Sequence, residues 1–315
     1  MNGSDNPSAP VSEAAIVGAA TIAILIWGAT AVVTKIAVAE IDPIAVGLLR
    51  TVLLIPLVLP VILIGRIAPP RGRRHLGLVV AATTGGLIGF PLLFTWGLYL
   101  TSAAHGALVL AVLPLFTGFV AAMVERSLPP RRWWLGCAVA VVGEIILVTG
   151  RSDLDAASGA SVVGDVIVLI AGVGAAISYV AGARLEQDGY GSLGTTFWGA
   201  LAAGIVLAPF LFLLADDAWS GAGAVAWASV FYLAAGSTIM AYVAWYWCLG
   251  KGGIGRVGIF QFLQPVVGVG LAIIILGEPL TVPLASAALA IIGGVVIAQR
   301  RPPPKDCVSG NGSSE

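Results

Sequence analysis

The chain has 315 residues, a formal net charge of zero, 58% hydrophobic residues and 10% charged residues. A soluble domain carries roughly 25% charged residues, and a soluble protein of this length could not hide so much apolar surface. The neutral balance gives nothing with which to hold nucleic acid, and the three cysteines (Cys137, Cys248, Cys307) form neither a disulfide framework nor a metal-ligand spacing.

Residues 1–13 are polar and read as a disordered tail. Ala37-Val38-Ala39 resembles a signal-peptidase site, but the tail lacks a positive n-region and the apolar run from Ala14 is too long for an h-region, so the first helix is expected to stay uncleaved. Ten apolar spans follow, at 14–38, 43–65, 76–98, 104–124, 133–150, 162–183, 192–214, 225–248, 257–277 and 281–299. Each is long enough for a hydrocarbon core of roughly 30 Å at about 1.5 Å per residue. The tail from Arg300 is Pro-rich, then polar, and is expected to be disordered. The fold class expected is therefore an all-α polytopic membrane protein in a bacterial-type inner (plasma) membrane, with the lipid bilayer as its first partner.

Charge placement orients the map. With the N-terminus cytoplasmic, 13 of the 16 Lys and Arg residues fall in inward-facing connections or the C-terminal tail. Lys35 and Arg151 fall outside, and Arg50 lies within the second span. Positive residues are retained on the cytoplasmic side during insertion, so both termini are predicted to be cytoplasmic. Acids gather on the other side: Glu40, Asp42, Asp153, Asp155, Asp216, Asp217 and Glu278.

The chain is also written twice. Trp96 and Trp247, Pro114 and Pro265, Gly85 and Gly236, and Gly143 and Gly294 are each separated by 151 positions, and Glu125 and Glu278 by 153. Matches at one offset inside segments of matching hydropathy indicate a duplication, here 14–150 and 151–299. Five helices are an odd number, so the second copy must enter the membrane in the opposite sense. Two inverted halves predict a pseudo-two-fold axis in the membrane plane, a solvent-accessible cavity near the midplane, and alternating access.

The chain resembles the EamA family of the drug/metabolite transporter superfamily. The resemblance covers about residues 14–300. It rests on Trp27-Gly28 followed by Lys35, Asp42-Pro43 with Arg50, Thr101-Ser102-Ala103 leading to Pro114 and Glu125-Arg126, Gln264-Pro265, and Gly277-Glu278-Pro279-Leu280. It implies a ten-helix secondary transporter, often an exporter of amino acids or related metabolites. The chain departs from a symmetric pattern at Arg50, whose repeat equivalent is Leu201.

Several residues are candidates for the pathway. Pro114 and Pro265 remove an N–H and crowd the carbonyls of Leu110 and Gln261, giving kinks that serve gating or packing alone. Arg50 is a cation deep in a span, placed to bind a substrate carboxylate, to snorkel to the headgroups or to pair with an acid. Glu144, a carboxylate well inside a span, is either a carrier of a coupling proton or a structural hydrogen-bonding group. Asp165, near a span end, is expected to meet water or cap its helix. His105 opens the fourth span and either titrates or is structural. Trp27, Thr30 and Thr34 share one helix face, as do Thr238, Tyr242 and Trp245. Tyr179, Trp198, Gln261 and Gln264 extend this set. Lining by these groups suits a neutral or zwitterionic solute with an apolar part, although Trp and Tyr also form interfacial belts. Ala81, Gly85 and Gly89 form a small-residue packing ridge.

No GxxxxGK[ST] loop is present, so the chain is not by itself a primary pump. A cationic-drug exporter would want a carboxylate in the central cavity, and the first span has none, so this alternative is disfavoured; a nucleotide-sugar carrier would want several basic groups for phosphates, and only Arg50 qualifies. A membrane-embedded enzyme would need a converging dyad or metal cluster, and none is visible. No cofactor or metal is expected, and a homodimer is compatible with the sequence.

Overall fold

The computed structural model describes residues 12–126, 130–149, 160–214 and 219–299. The side chain of Glu144 lies outside the described residues, as do Arg151, Asp153, Asp155, Asp216, Asp217 and both terminal tails. All regular structure in the described residues is helical.

The helices are α1 (Glu13–Val38), α2 (Pro43–Ile64), α3 (Gly72–Leu100), α4 (Ala103–Glu125), α5 (Arg131–Thr149), α6 (Val162–Gln187), α7 (Ser192–Leu214), α8 (Ala224–Gly252) and α10 (Val282–Gln299). Between α8 and α10, α9 joins Ile254–Val257, the 3₁₀ segment Gly258–Phe262 and Leu263–Leu276. Among the described residues, seven helices are long and apolar enough to cross a membrane, namely α1 to α4 and α6 to α8. Leu263–Leu276 and Val282–Ala298 are shorter apolar helices. The chain is a multi-pass membrane protein.

The sequence sets the ends of these helices. Ser12 caps α1, and Asp42 caps α2 by accepting from the amides of Ile44 (2.8 Å) and Ala45 (3.1 Å), with Pro43 where a missing N–H costs nothing. Arg126 ends α4 in the left-handed region at φ 51°, and Gly253 separates α8 from α9 at φ 82°.

Contacts between helix ends define two faces. At one, Glu40 accepts from Gly223 N (2.7 Å) and Glu278 meets the start of α4. At the other, Arg74 pairs with Asp188, Lys251 with Glu186 and Arg256 with Glu13. These are called below the Ala103 face and the Glu125 face.

Glycine sets the closest helix crossings. A Cβ on Gly85 would stand 2.4 Å from the carbonyl oxygen of Gly174, and one on Gly174 would stand 2.8 Å from that of Gly85, so α3 and α6 touch backbone to backbone. The expected packing ridge on α3 acts through this glycine. The pair Gly143 and Gly294 also has a structural role: α5 packs on α10, with Gly294 against Gly136 and Gly143 against Ile291.

Equivalent positions carry equivalent irregularities. A π-helical stretch spans Thr83–Gly89 in α3 and Tyr232–Met240 in α8, around Gly85 and Gly236. A 3₁₀ stretch precedes each proline, Leu110–Val112 before Pro114 and Gly258–Phe262 before Pro265. Proline withholds the N–H that Leu110 O would accept in an α-helix. The tighter turn supplies the amide of Leu113 instead.

Candidate functional site

The polar residues of α2 and α8 meet in the core. Arg50 is 1% exposed. Its Nε donates to Thr238 Oγ1 (3.2 Å) and its Nη2 to Ser237 Oγ (3.1 Å). Consecutive residues of a regular helix diverge by about 100°. The π-helical stretch narrows that angle, and Thr238 Oγ1 donates to Leu233 O five residues back (2.8 Å). Both hydroxyls can then face one guanidinium. Of the roles open to Arg50, snorkelling is overturned by this burial.

Ser237 joins the arginine to α1. Its backbone oxygen accepts from Trp27 Nε1 (2.8 Å), and its hydroxyl meets Thr30 Oγ1 (3.0 Å). Trp27 stacks on Tyr179 with centroids 5.2 Å apart, and meets Tyr242 and Trp245 edge-on at 5.2 and 5.6 Å. Offset and edge-to-face arrangements suit the ring quadrupoles. Helix α3 contributes carbonyls: Gly86 O, inside the π stretch, accepts from Tyr242 OH (2.9 Å), and Ala82 O, just before it, accepts from Ser178 Oγ (2.9 Å). Ser178 meets Tyr246 OH at 2.6 Å.

The rings nearly fill the place where a cavity was expected. The space lined by Trp27, Thr30, Phe90, Phe94, Tyr179 and Gln264 measures about 10 Å³. That is close to one water-sized probe and far below the roughly 300–1,000 Å³ of small-molecule sites. Where a solvent-accessible cavity near the midplane was expected, aromatic side chains converge and leave the space between these residues no wider than that.

Among the described residues, Arg50 Nη1, Trp245 Nε1, Thr34 Oγ1 and both amide atoms of Gln261 are buried without a hydrogen-bond partner. Buried polar atoms are rarely left so. Pro114 and Pro265 are buried in the cores of α4 and α9.

Two candidates lie elsewhere. Trp198 donates to Ile67 O (3.2 Å) and lines a lateral groove of about 370 Å³ with Pro70 and Ile88. It sits near the Glu125 face because α7 has only just begun there. His105 faces Asp165, with Nδ1 and Oδ2 3.3 Å apart, and Thr101 donates to the same carboxylate. Asp165 is 3% exposed, so the expectation that it meets water is overturned: α4 and α6 close over it.

Sequence reasoning missed Ser237, Ser178 and Tyr246. Each adjoins a residue that was singled out; Ser237 and Tyr246 lie one step off the stripe of Thr238, Tyr242 and Trp245, and Ser178 is next to Tyr179. A Ser-Thr pair inside an apolar helix was the available signal for Ser237.

Comparison with known proteins agrees with this architecture. The EamA-like transporter family model matches residues 15–149 and 162–299. An uncharacterized transporter of Bacillus subtilis, YdeK, is 31% identical over 89% of this chain and 95% of its own length. A probable amino-acid metabolite efflux pump of Salmonella typhimurium is 26% identical over 88% and 92%. A probable terminal-alkyne amino-acid exporter of Streptantibioticus cattleyicolor is 25% identical over 72% and 74%. A crystal structure of a protein 20% identical to this one superposes with a TM-score of 0.66, covering 91% of this chain and 97% of the other, and shows the fold alone. With both stretches of helices matched, this chain belongs to the EamA-like transporter family.

Proposed function

We propose that this transporter exports amino acids or related small metabolites across the inner (plasma) membrane by alternating access, leaving its solute chemically unchanged. In this reading α5, α9 and α10 also cross the bilayer, and the two sets of five helices are inverted copies that rock about the aromatic cluster. The Glu125 face is cytoplasmic, because the Lys and Arg of the connections concentrate there.

One observation carries the choice of solute. Arg50 keeps two donors engaged by Ser237 and Thr238 and a third, Nη1, buried without a partner. A guanidinium held in this way is preorganised for a carboxylate. Beside it, Trp27, Tyr179, Tyr242 and Trp245 offer faces to an ammonium group or an apolar side chain. The relatives named as amino-acid exporters support the same class.

The test is counterflow of labelled solutes in liposomes holding the purified protein. Unaltered amino acids should exchange. Arg50→Ala should slow carboxylate-bearing solutes more than their neutral amides. Equal loss for both would remove the proposed role, and a converted product would indicate an enzyme.

A further inference from the structure

Glu278 lies between α9 and α10 and its amide donates to Ala272 O of α9, yet its carboxylate hydrogen-bonds to α4. Its Oε1 accepts from the amide of Ala103 and its Oε2 from that of Ala104, each at 2.8 Å. These amides belong to the first turn of a 23-residue helix, where N–H groups lack intrahelical partners. A carboxylate there gains two charge-assisted bonds and the favourable end of the helix dipole. Lys35, near the end of α1, acts electrostatically on the same carboxylate. The contact ties the second half of the chain to the first at the Ala103 face.

The same three parts recur, inverted, at the opposite face. Glu125 is the counterpart of Glu278, offset by 153. Helices α1 and α6 are both 26 residues long; counted from their first residues, Glu13 and Val162, Arg184 stands where Lys35 does, whereas the offset of 151 puts Glu186 there. Arg184 Nη2 lies 3.2 Å from Glu125 Oε1. Ala103 and Ala104, offset by 151, fall on Ile254 and Gly255, the first residues of α9. The third contact differs between the faces. Glu278 is docked on its amides, whereas the described partner of Glu125 is Arg184 and 54% of its side chain is exposed.

We propose that Glu278 and Glu125 are alternating latches. Each closes its own face by docking on the amides that open the fourth helix of the other half, α4 for Glu278 and α9 for Glu125. This structure is then the conformer latched at the Ala103 face and released at the Glu125 face. In the alternate conformer Glu278 leaves α4 and Glu125 takes the amides of Ile254 and Gly255. Exchanging one docked carboxylate for its twin keeps the two conformers close in free energy, which a two-state carrier requires. The inference rests on the alternating-access reading but not on the identity of the solute.

The experiment uses double electron–electron resonance on full-length protein in liposomes, with the native cysteines replaced. One spin-label pair spans the Ala103 face, at Tyr99 and Leu280. The other spans the Glu125 face, at Met123 and Leu193; all four side chains are exposed. Glu278→Gln should lengthen the first distance and shorten the second, shifting the ratio of conformers on the order of tenfold, as expected for one lost bond to a charged acceptor. Ala103→Pro should act in the same direction. It removes only the donated N–H, at a helical position that tolerates proline, and Ser102 already has the extended backbone that proline needs. Glu125→Gln should leave the present conformer favoured. Unchanged distances in both Glu278→Gln and Ala103→Pro, or a change confined to one face, would overturn the proposal. Reciprocal shifts without amino-acid transport would retain the latch and refute only the solute class.

Discussion

Ser237→Ala is the sharpest probe of the site, because the serine touches three of its parts while lying outside both sequence stripes. The substitution deletes the hydroxyl 3.1 Å from Arg50 Nη2 and 3.0 Å from Thr30 Oγ1. It leaves the backbone oxygen that holds Trp27 untouched. Arg50 then keeps Thr238 as an anchor, but two of its terminal donors lack a partner instead of one. A hydrogen bond to a charged group is worth about 1.5–3 kcal/mol net. If the guanidinium must be held still to receive a carboxylate, the dissociation constant of a carboxylate-bearing solute should rise on the order of tenfold or more. The carboxamide of the same solute should be far less affected. Counterflow KM and binding followed by intrinsic tryptophan fluorescence measure both. Because the serine acts through the arginine, Ser237→Ala should add little in an Arg50→Met background. Full additivity of the two substitutions, or equal losses for acid and amide, would refute the reasoning.

Other expectations follow from backbone geometry and charge. Gly85→Ala places a Cβ against a carbonyl that cannot rotate away, so α3 and α6 must separate; a cost of about 1–3 kcal/mol should appear as a lower Tm in detergent. Gly77→Ala meets nothing within 4 Å and gains helix propensity, so its Tm should stay level or rise. Pro114→Ala and Pro265→Ala should return the preceding 3₁₀ stretches towards regular helix and impair counterflow more than expression; unchanged counterflow in both would reduce these prolines to packing. Single cysteines introduced in 66–75 and 126–132 should react with an impermeant maleimide only from the cytoplasm, and labelling of both from outside would reverse the orientation.

Much of the architecture was legible because lipid imposes one-dimensional rules. Long apolar runs, helix breakers and loop charges persist in a sequence without any knowledge of packing. The pairs Pro114/Pro265 and Gly85/Gly236 mark where the two 3₁₀ and two π-helical stretches fall, although the irregular backbone itself was not foreseen. The site was legible only in part. Stripes drawn at regular spacing found Trp27, Thr30, Thr238, Tyr242 and Trp245, which do converge. They missed Ser237 because a π stretch turns its neighbour and itself towards the same partner. Trp198, grouped with these residues in the sequence, lies instead against Ile67 and Pro70 near the start of α7. The pairing of His105 with Asp165 joins residues 60 positions apart, which no local pattern encodes.

The wide turns in α3 and α8 carry one more consequence. A π turn holds one residue more than its neighbours, and an amide within it can trade an acceptor five residues back for one four back. The surplus residue can thus migrate along the rod while nearly every main-chain bond is kept. Each migration rotates the side chains it passes, as a screw advances through its nut. In α8 those side chains include Ser237 and Thr238, which hold the guanidinium. In α3 the carbonyls concerned include that of Gly86, which holds Tyr242. A rod built in this way can turn its grip on the ring cluster without unwinding in a medium that offers no water to repair a broken helix.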